Sequence, residues 1–146
     1  MKRTFKNHTL HSGTPVRKSK KTTRYFDLAR NIAFNSIYGK IRHGAVLVRG
    51  GSVINTCFNK DKFCSFGSRF RNPDRGPATV HAELGCILGM PRGSTNGADV
   101  YVCRINKKGE FRNSKPCAMC HSALKHVGVR RVYYTVSDNT VEMYKL

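Results

Sequence analysis

The feature that most constrains this chain is a motif in two halves, His81-Ala82-Glu83 and Pro116-Cys117-Ala118-Met119-Cys120. Together they supply one imidazole, two thiolates and one carboxylate. A Zn²⁺ ion is well served by a His and two Cys, which leaves a fourth position for water. The Cys-x-x-Cys spacing lets both thiolates reach one ion from a single helical turn. Glu83 need not bind the metal: two residues past a ligand, at a helix start, it can lean over the water and move protons. A structural zinc site is normally closed by a fourth protein ligand, and neither half offers an obvious one. Cys-x-x-Cys alone would also suit a redox pair, but His-x-Glu upstream and a Pro before the first Cys are much more specific.

The combination resembles the zinc-dependent cytidine/deoxycytidylate deaminase superfamily, whose signature is His-x-Glu…Pro-Cys-x-x-Cys. Thirty-two residues separate Glu83 from Pro116, and the resemblance covers roughly residues 25–146. It implies that His81, Cys117 and Cys120 hold zinc and that Glu83 shuttles protons. It implies substrate contacts at Ala82 and at Pro116, where the backbone can hold the departing exocyclic amine. Asn59, just after a strand, matches a residue that contacts the substrate sugar or phosphate; the other reading is a turn residue. The fold expected is a single three-layer α/β/α domain. It has a five-stranded mixed sheet, with the two zinc helices side by side on one face.

At 146 residues, the length suits one domain with a real core. No apolar run approaches the ~18 residues of a membrane helix, and no apolar stretch follows the basic N-terminus as in a secretory signal. Of six cysteines, two sit in the metal motif and must be reduced, so Cys57, Cys64, Cys86 and Cys103 read as free thiols in a reducing, intracellular compartment. Cys57 and Cys64 are the alternative pair for a second metal.

Residues 1–24 carry eight Lys or Arg and no acid, so they read as a disordered basic tail, with the domain spanning 25–146. Such a tail suits phosphate binding, a nuclear address or an organelle transit peptide. Residues 25–40 read as the first helix, capped by Thr22 or Thr23, with Leu28, Ala29, Ile32, Ala33 and Ile37 on one face. Residues 43–49 and 52–58 read as strands joined by Gly50-Gly51 in a tight hairpin. His43, at the start of the first, reads as structural.

Residues 60–79 read as a long polar loop in which Phe63, Phe66 and Phe70 alternate with Lys62, Arg69, Arg71 and Arg75. Rings beside guanidinium groups suit single-stranded nucleic acid, and rings that anchor the loop to the core are the alternative. Phe66, between small neighbours, is expected to be the open, stacking ring, with Phe63 and Arg69 beside it. Thr79 reads as the cap of the first zinc helix and residues 91–97 as a turn. After a strand over 98–105 comes the second zinc helix. His121 follows Cys120 directly; such neighbours point about 100° apart on a helix, so His121 is not expected at the metal. The strands at 131–136 and 141–146 are too close for a crossover and must be antiparallel.

That last hairpin resembles the free-cytidine branch of the superfamily, whereas Pro-Cys-Ala-Met-Cys resembles its tRNA adenosine deaminases. Charge weighs on the choice. The net charge is +19, and without residues 1–24 it is still 19 basic against 8 acidic residues, or +11. A nucleoside needs no such field, and a polyphosphate strand is attracted by it. The expected substrate is therefore cytosine in single-stranded or looped RNA or DNA. The alternatives are free cytidine or dCMP, adenosine in tRNA, and a zinc-bearing nucleic-acid-binding module without turnover. Relatives are often dimers or tetramers, which allows a homo-oligomer. Zinc is the one cofactor implied.

Overall fold

A computed structural model describes residues 13–37 and 41–146. One mixed sheet organises them. Strand β2 (Arg42–Arg49), second from one edge, pairs antiparallel with β3 (Ser52–Phe58) on one side and with β6 (Asp99–Ile105) on the other. Strand β8 (Arg131–Thr135) runs parallel to β6, and β9 (Val141–Lys145) returns antiparallel to β8, as the short turn between them requires. These are the five strands expected. Two short ones extend the sheet: β1 (Thr14–Val16) pairs with β9, and β7 (Phe111–Arg112) pairs with β6. A separate ribbon joins β4 (Lys60–Phe63) to β5 (Thr79–Val80).

Strand β2 shows why the layers form. Its central run is buried on both faces, as in any strand covered from two sides. Val46 and Val48 pack with Tyr101, Cys103 and Ile105 under helix α1 (Lys20–Ala33). Ala45 and Leu47 pack with Val100 and Val102 on the other face, under α3 (Ala82–Ile87) and α5 (Ala118–His126). The zinc-motif helices thus lie on one face and α1 on the other. Gly44 permits the α1 contact: a Cβ there would sit 2.0 Å from the Ala29 carbonyl oxygen. Gly50 and Gly51, with φ of +58° and +78°, make the β2–β3 turn that an L side chain resists.

Several expectations are corrected. The basic stretch is not a tail as far as residue 24: it holds β1 and the start of α1, and its residues 1–12 lie outside the described residues. Ser19 caps α1, its hydroxyl accepting from the Thr22 N–H at 3.1 Å, so the helix starts before Thr22 and Thr23 and ends at Ala33 rather than 40. Tyr25 and Phe26 anchor this turn in the core, at 2% and 3% exposure. The 60–79 segment is not an unstructured loop: it holds β4, a helical turn α2 (Ser65–Ser68), a single 3-10 turn at Pro73–Arg75 and β5. Thr79 therefore lies in a strand, and His81 takes the N-cap position of α3. A short helix α4 (Arg92–Thr95) occupies most of the expected 91–97 turn. Among the described residues no helix is long and apolar enough to cross a membrane.

Candidate active site

Both halves of the motif sit at helix starts. His81 is the N-cap of α3, with extended backbone (φ −71°, ψ 155°), and Cys117 is the N-cap of α5 (φ −70°, ψ 170°). Cys120 lies in the first turn of α5. Neither cap uses its side chain to close its helix, so both are left for other work. Because α3 and α5 pack side by side on the sheet, their starts meet. The His81 Nδ1 lies 3.7 Å from the Cys117 Sγ and 3.4 Å from the Cys120 Sγ, and all three ligand atoms fall within 4.8 Å of one another.

The fit to zinc follows from bond lengths. Zn–S of about 2.3 Å and Zn–N of about 2.0–2.1 Å in a tetrahedron separate ligand atoms by about 3.6 Å. The spacing here matches that. The donor set, one imidazole and two thiols with no fourth protein ligand in this group, is that of an open zinc site. Among the described residues this is the one cluster of three such side chains. Cys57 and Cys64 do not form a second: the Cys57 thiol donates to the Phe58 carbonyl at 3.2 Å, and the Cys64 sulfur accepts from the Gly67 N–H at 3.3 Å. All six cysteines are free thiols.

The electrostatics suit metal binding. The Cys117 thiol is lowered to about 3, first by the hydrogen bond from Cys120 and then by His81, against the cost of burial. His81 is raised in turn, chiefly by that bond to Cys117. Cys120, fully buried, is raised by desolvation and by giving its hydrogen to Cys117. Glu83 is 4% exposed, and burial first, then the Cys117 charge, raises its carboxyl. A buried carboxyl with a raised affinity for protons, beside three metal-ligand atoms, is equipped to take and return a proton.

Glu83 and His81 line a cavity of about 250 Å³ together with Ala82, Asn59, His43, Ile41, Lys60, Thr79 and Val80. Ala82, with 0% exposure, forms part of its wall, and Pro116 is buried just before the first thiol. Asn59 lines the cavity, but its amide is committed: Oδ1 accepts from the His43 N–H at 2.9 Å, and Nδ2 donates to the Ile41 carbonyl at 2.8 Å. Its side chain thus clamps the chain entering β2. His121 points away from the ligands and meets the Tyr144 hydroxyl at 3.4 Å.

The aromatic ranking is reversed. Phe66 is not the open ring. It packs edge-on to Phe70 at 5.3 Å between centroids, and both rings lie against the core and beside His126. The Arg69 guanidinium covers both at 5.6 Å. Phe63, on β4, is the open one at 61% exposure. The cavity also has a member that the motif did not reveal. His43 sits on the zinc face of β2 by simple alternation with Ala45 and Leu47, a signal present in the sequence.

Residues 19–136 match the model of the cytidine and deoxycytidylate deaminase zinc-binding region. A tRNA-specific adenosine deaminase of Agrobacterium fabrum is 32% identical over 101 residues, which cover 65% of this chain and 51% of that protein. The chain thus spans about half the length of the curated relative it matches. Two solved structures share the fold. The dCMP deaminase from the cyanophage S-TIM5, in apo form, superposes with a TM-score of 0.59 at 22% identity, over 82% of this chain and 86% of that one. RibD of Acinetobacter baumannii superposes with a TM-score of 0.53 at 19% identity, over 80% of this chain and 28% of that one.

Proposed function

The chain belongs to the cytidine and deoxycytidylate deaminase zinc-binding family, and on that premise we propose that it deaminates cytosine to uracil in single-stranded or looped nucleic acid. His81, Cys117 and Cys120 would hold a zinc ion, which would supply Lewis-acid activation of water. Glu83 takes a proton from the attacking water. It then hands protons to the ring N3 and to the departing amine, so that C4–NH₂ and water become C4=O and ammonia. The backbone at Pro116 holds that amine, and Ala82 forms the wall under the base. Burial of Glu83 excludes competing solvent from these transfers.

The observation that carries the polynucleotide reading is the charge. Among the described residues Lys60, Arg71 and Arg104 have no carboxylate partner. Lys60 lines the cavity, while the Arg71 and Arg104 charges are felt at His81 and at His43. With a net charge of +19, the chain attracts a strand far more than one nucleotide requires. The open Phe63 ring, on the strand that begins at Lys60, suits base stacking. A reducing compartment would keep the Cys117 and Cys120 thiols available to the metal.

Ammonia release tests this with a cytosine-bearing single-stranded oligonucleotide, cytidine and dCMP as parallel substrates. Turnover of the oligonucleotide should dominate and its binding should weaken steeply with salt. Preference for dCMP, with salt-independent oligonucleotide binding, would sink the reading. A second reading, adenosine in tRNA, is supported by the 32% identical relative; inosine formation in tRNA tests it.

A further inference from the structure

We propose that Arg104 holds the phosphate beside the target nucleotide, and that the strand runs from there over the β6–β7 hairpin into the groove between Asn106 and Arg112. This deepens the polynucleotide reading and rests on it for the cytosine seated in the cavity at Glu83.

Sheet register carries the argument. His43, Arg104 and Arg112 are successive cross-strand partners on β2, β6 and β7. Directly opposed residues share a face, and alternation with Val102 places this row on the face of α3 and α5. One end of the row, His43, lines the cavity of about 250 Å³ that holds Glu83. The other end, Arg112, lines a groove of about 520 Å³ with Asn106, Lys107, Lys108 and Glu110. Arg104 therefore stands between the two hollows, one strand spacing of about 4.8 Å from each neighbour in the row.

Charge pairing singles Arg104 out. At the other end of β6, Arg130 and Arg131 share Asp99, at 3.5 and 3.2 Å. Arg104 has no such partner among the described residues: its Nε is buried with no acceptor, and no carboxylate meets its guanidinium. Arg42 and Arg71 also have an unmet Nε. Arg42 alternates with His43 onto the opposite face, and Arg71 is anchored by donating to the Arg75 carbonyl at 2.9 Å. A half-buried guanidinium without an acceptor is costly unless a ligand supplies one. A phosphate fits its planar fork of donors. Glu110, the acid of the groove, is turned to its own hairpin: its Oε1 accepts from the Asn106 Nδ2 at 3.0 Å and lies 3.7 Å from an Arg112 nitrogen. Lys107 and Lys108 have no carboxylate partner among the described residues. The groove thus keeps an excess of cations beside Arg104, ready for the next phosphates of a strand.

The test reads binding by the full chain, so it does not depend on turnover. Single-stranded oligonucleotides with one cytosine carry an uncharged methylphosphonate in place of one phosphate, moved position by position along the strand. In wild type one phosphate next to the cytosine should matter most, its replacement weakening binding about tenfold or more, the scale of a charge-assisted pair. Arg104→Ala should bind the all-phosphate strand more weakly by the same factor and no longer register that replacement. Arg104→Lys, which keeps the charge but not the fork, should retain part of the effect. The slope of log affinity against log salt should shrink by about one in Arg104→Ala. A Lys107→Ala, Lys108→Ala chain should also have a smaller slope, while the phosphate beside the cytosine still matters. A wild-type scan in which no flanking phosphate matters, a result that needs no variant to fold, overturns the proposal; so does a flanking phosphate that matters equally in Arg104→Ala. Cytidine and dCMP separate the two sources of a phosphate. Arg104-dependent binding of dCMP, with oligonucleotide binding unchanged in the Lys107→Ala, Lys108→Ala chain, overturns the strand path in favour of a free nucleotide. If the Arg104-dependent phosphate is found but no ammonia comes from cytosine, the deaminase reading fails and the phosphate site stands.

Discussion

Lowering the pH should weaken the fold through His43 in particular. An unfolded chain protonates a histidine near pH 6.5, whereas the folded chain protonates His43 only near 4, because burial and the Arg104 charge oppose the cation. Between those values the unfolded state binds more protons. Stability is therefore fully present above the unfolded pKa, and it is lost as the pH falls from about 6.5 towards about 4. Taken from pH 7.5 to pH 5, linkage gives a loss of about 2 kcal/mol from this residue alone. Other groups titrate in the same window, the zinc ligands among them, so the measurement is a difference. Urea unfolding of wild type and of His43→Gln is followed at each pH, with zinc content checked in both. The gap between the two curves should change by about 2 kcal/mol, with wild type the more pH-sensitive. Parallel stability-versus-pH curves would refute the reasoning, because they would mean that the imidazole charges as easily in the folded chain as in the unfolded one.

Three further outcomes follow from the site. Replacing Cys117 or Cys120 by Ser should remove most of the zinc from purified protein, read by elemental analysis, since each supplies one of three clustered ligand atoms. Glu83→Ala should keep zinc and lose about 10²-fold or more of turnover, the scale of one positioned proton carrier; a variant that keeps a tenth of wild-type activity points to another carrier. Phe63→Ala should weaken oligonucleotide binding by about 1–3 kcal/mol with little change in melting temperature, whereas Phe66→Ala should cost up to about 3 kcal/mol of stability, less than a fully buried Phe because the ring is only partly covered. The opposite pattern would return the stacking role to Phe66.

The motif was legible because chemistry alone limits it: few arrangements ask for an imidazole, two thiols and a carboxylate at those spacings. Strand β2 was legible too, since an apolar run such as residues 44–48 must be covered on both faces. What stayed hidden depended on partners far along the chain. Strand β1 is held by pairing Thr14, Pro15 and Val16 with Met143, Glu142 and Val141. That pairing needs no apolar side chains, so a basic, polar stretch gave no sign of it. Small neighbours around Phe66 suggested an open ring, but they work the other way. Gly67 lies where a Cβ would come 2.8 Å from the Leu84 side chain, so the small residue lets α2 press onto α3 and brings Phe66 down with it. The same logic separates His43 from an ordinary buried histidine. Alternation along β2 places it on the zinc face, but only the Asn59 clamp, from the end of the next strand, fixes it at the cavity wall. Asn59 therefore bears on the cavity wall by holding the chain at Ile41 and His43. Its replacement by Ala should loosen the entry to β2, read as faster amide hydrogen exchange at residues 42–44, while leaving zinc in place. An Asn59→Ala chain with unchanged exchange there would show that β2 alone holds the imidazole in position.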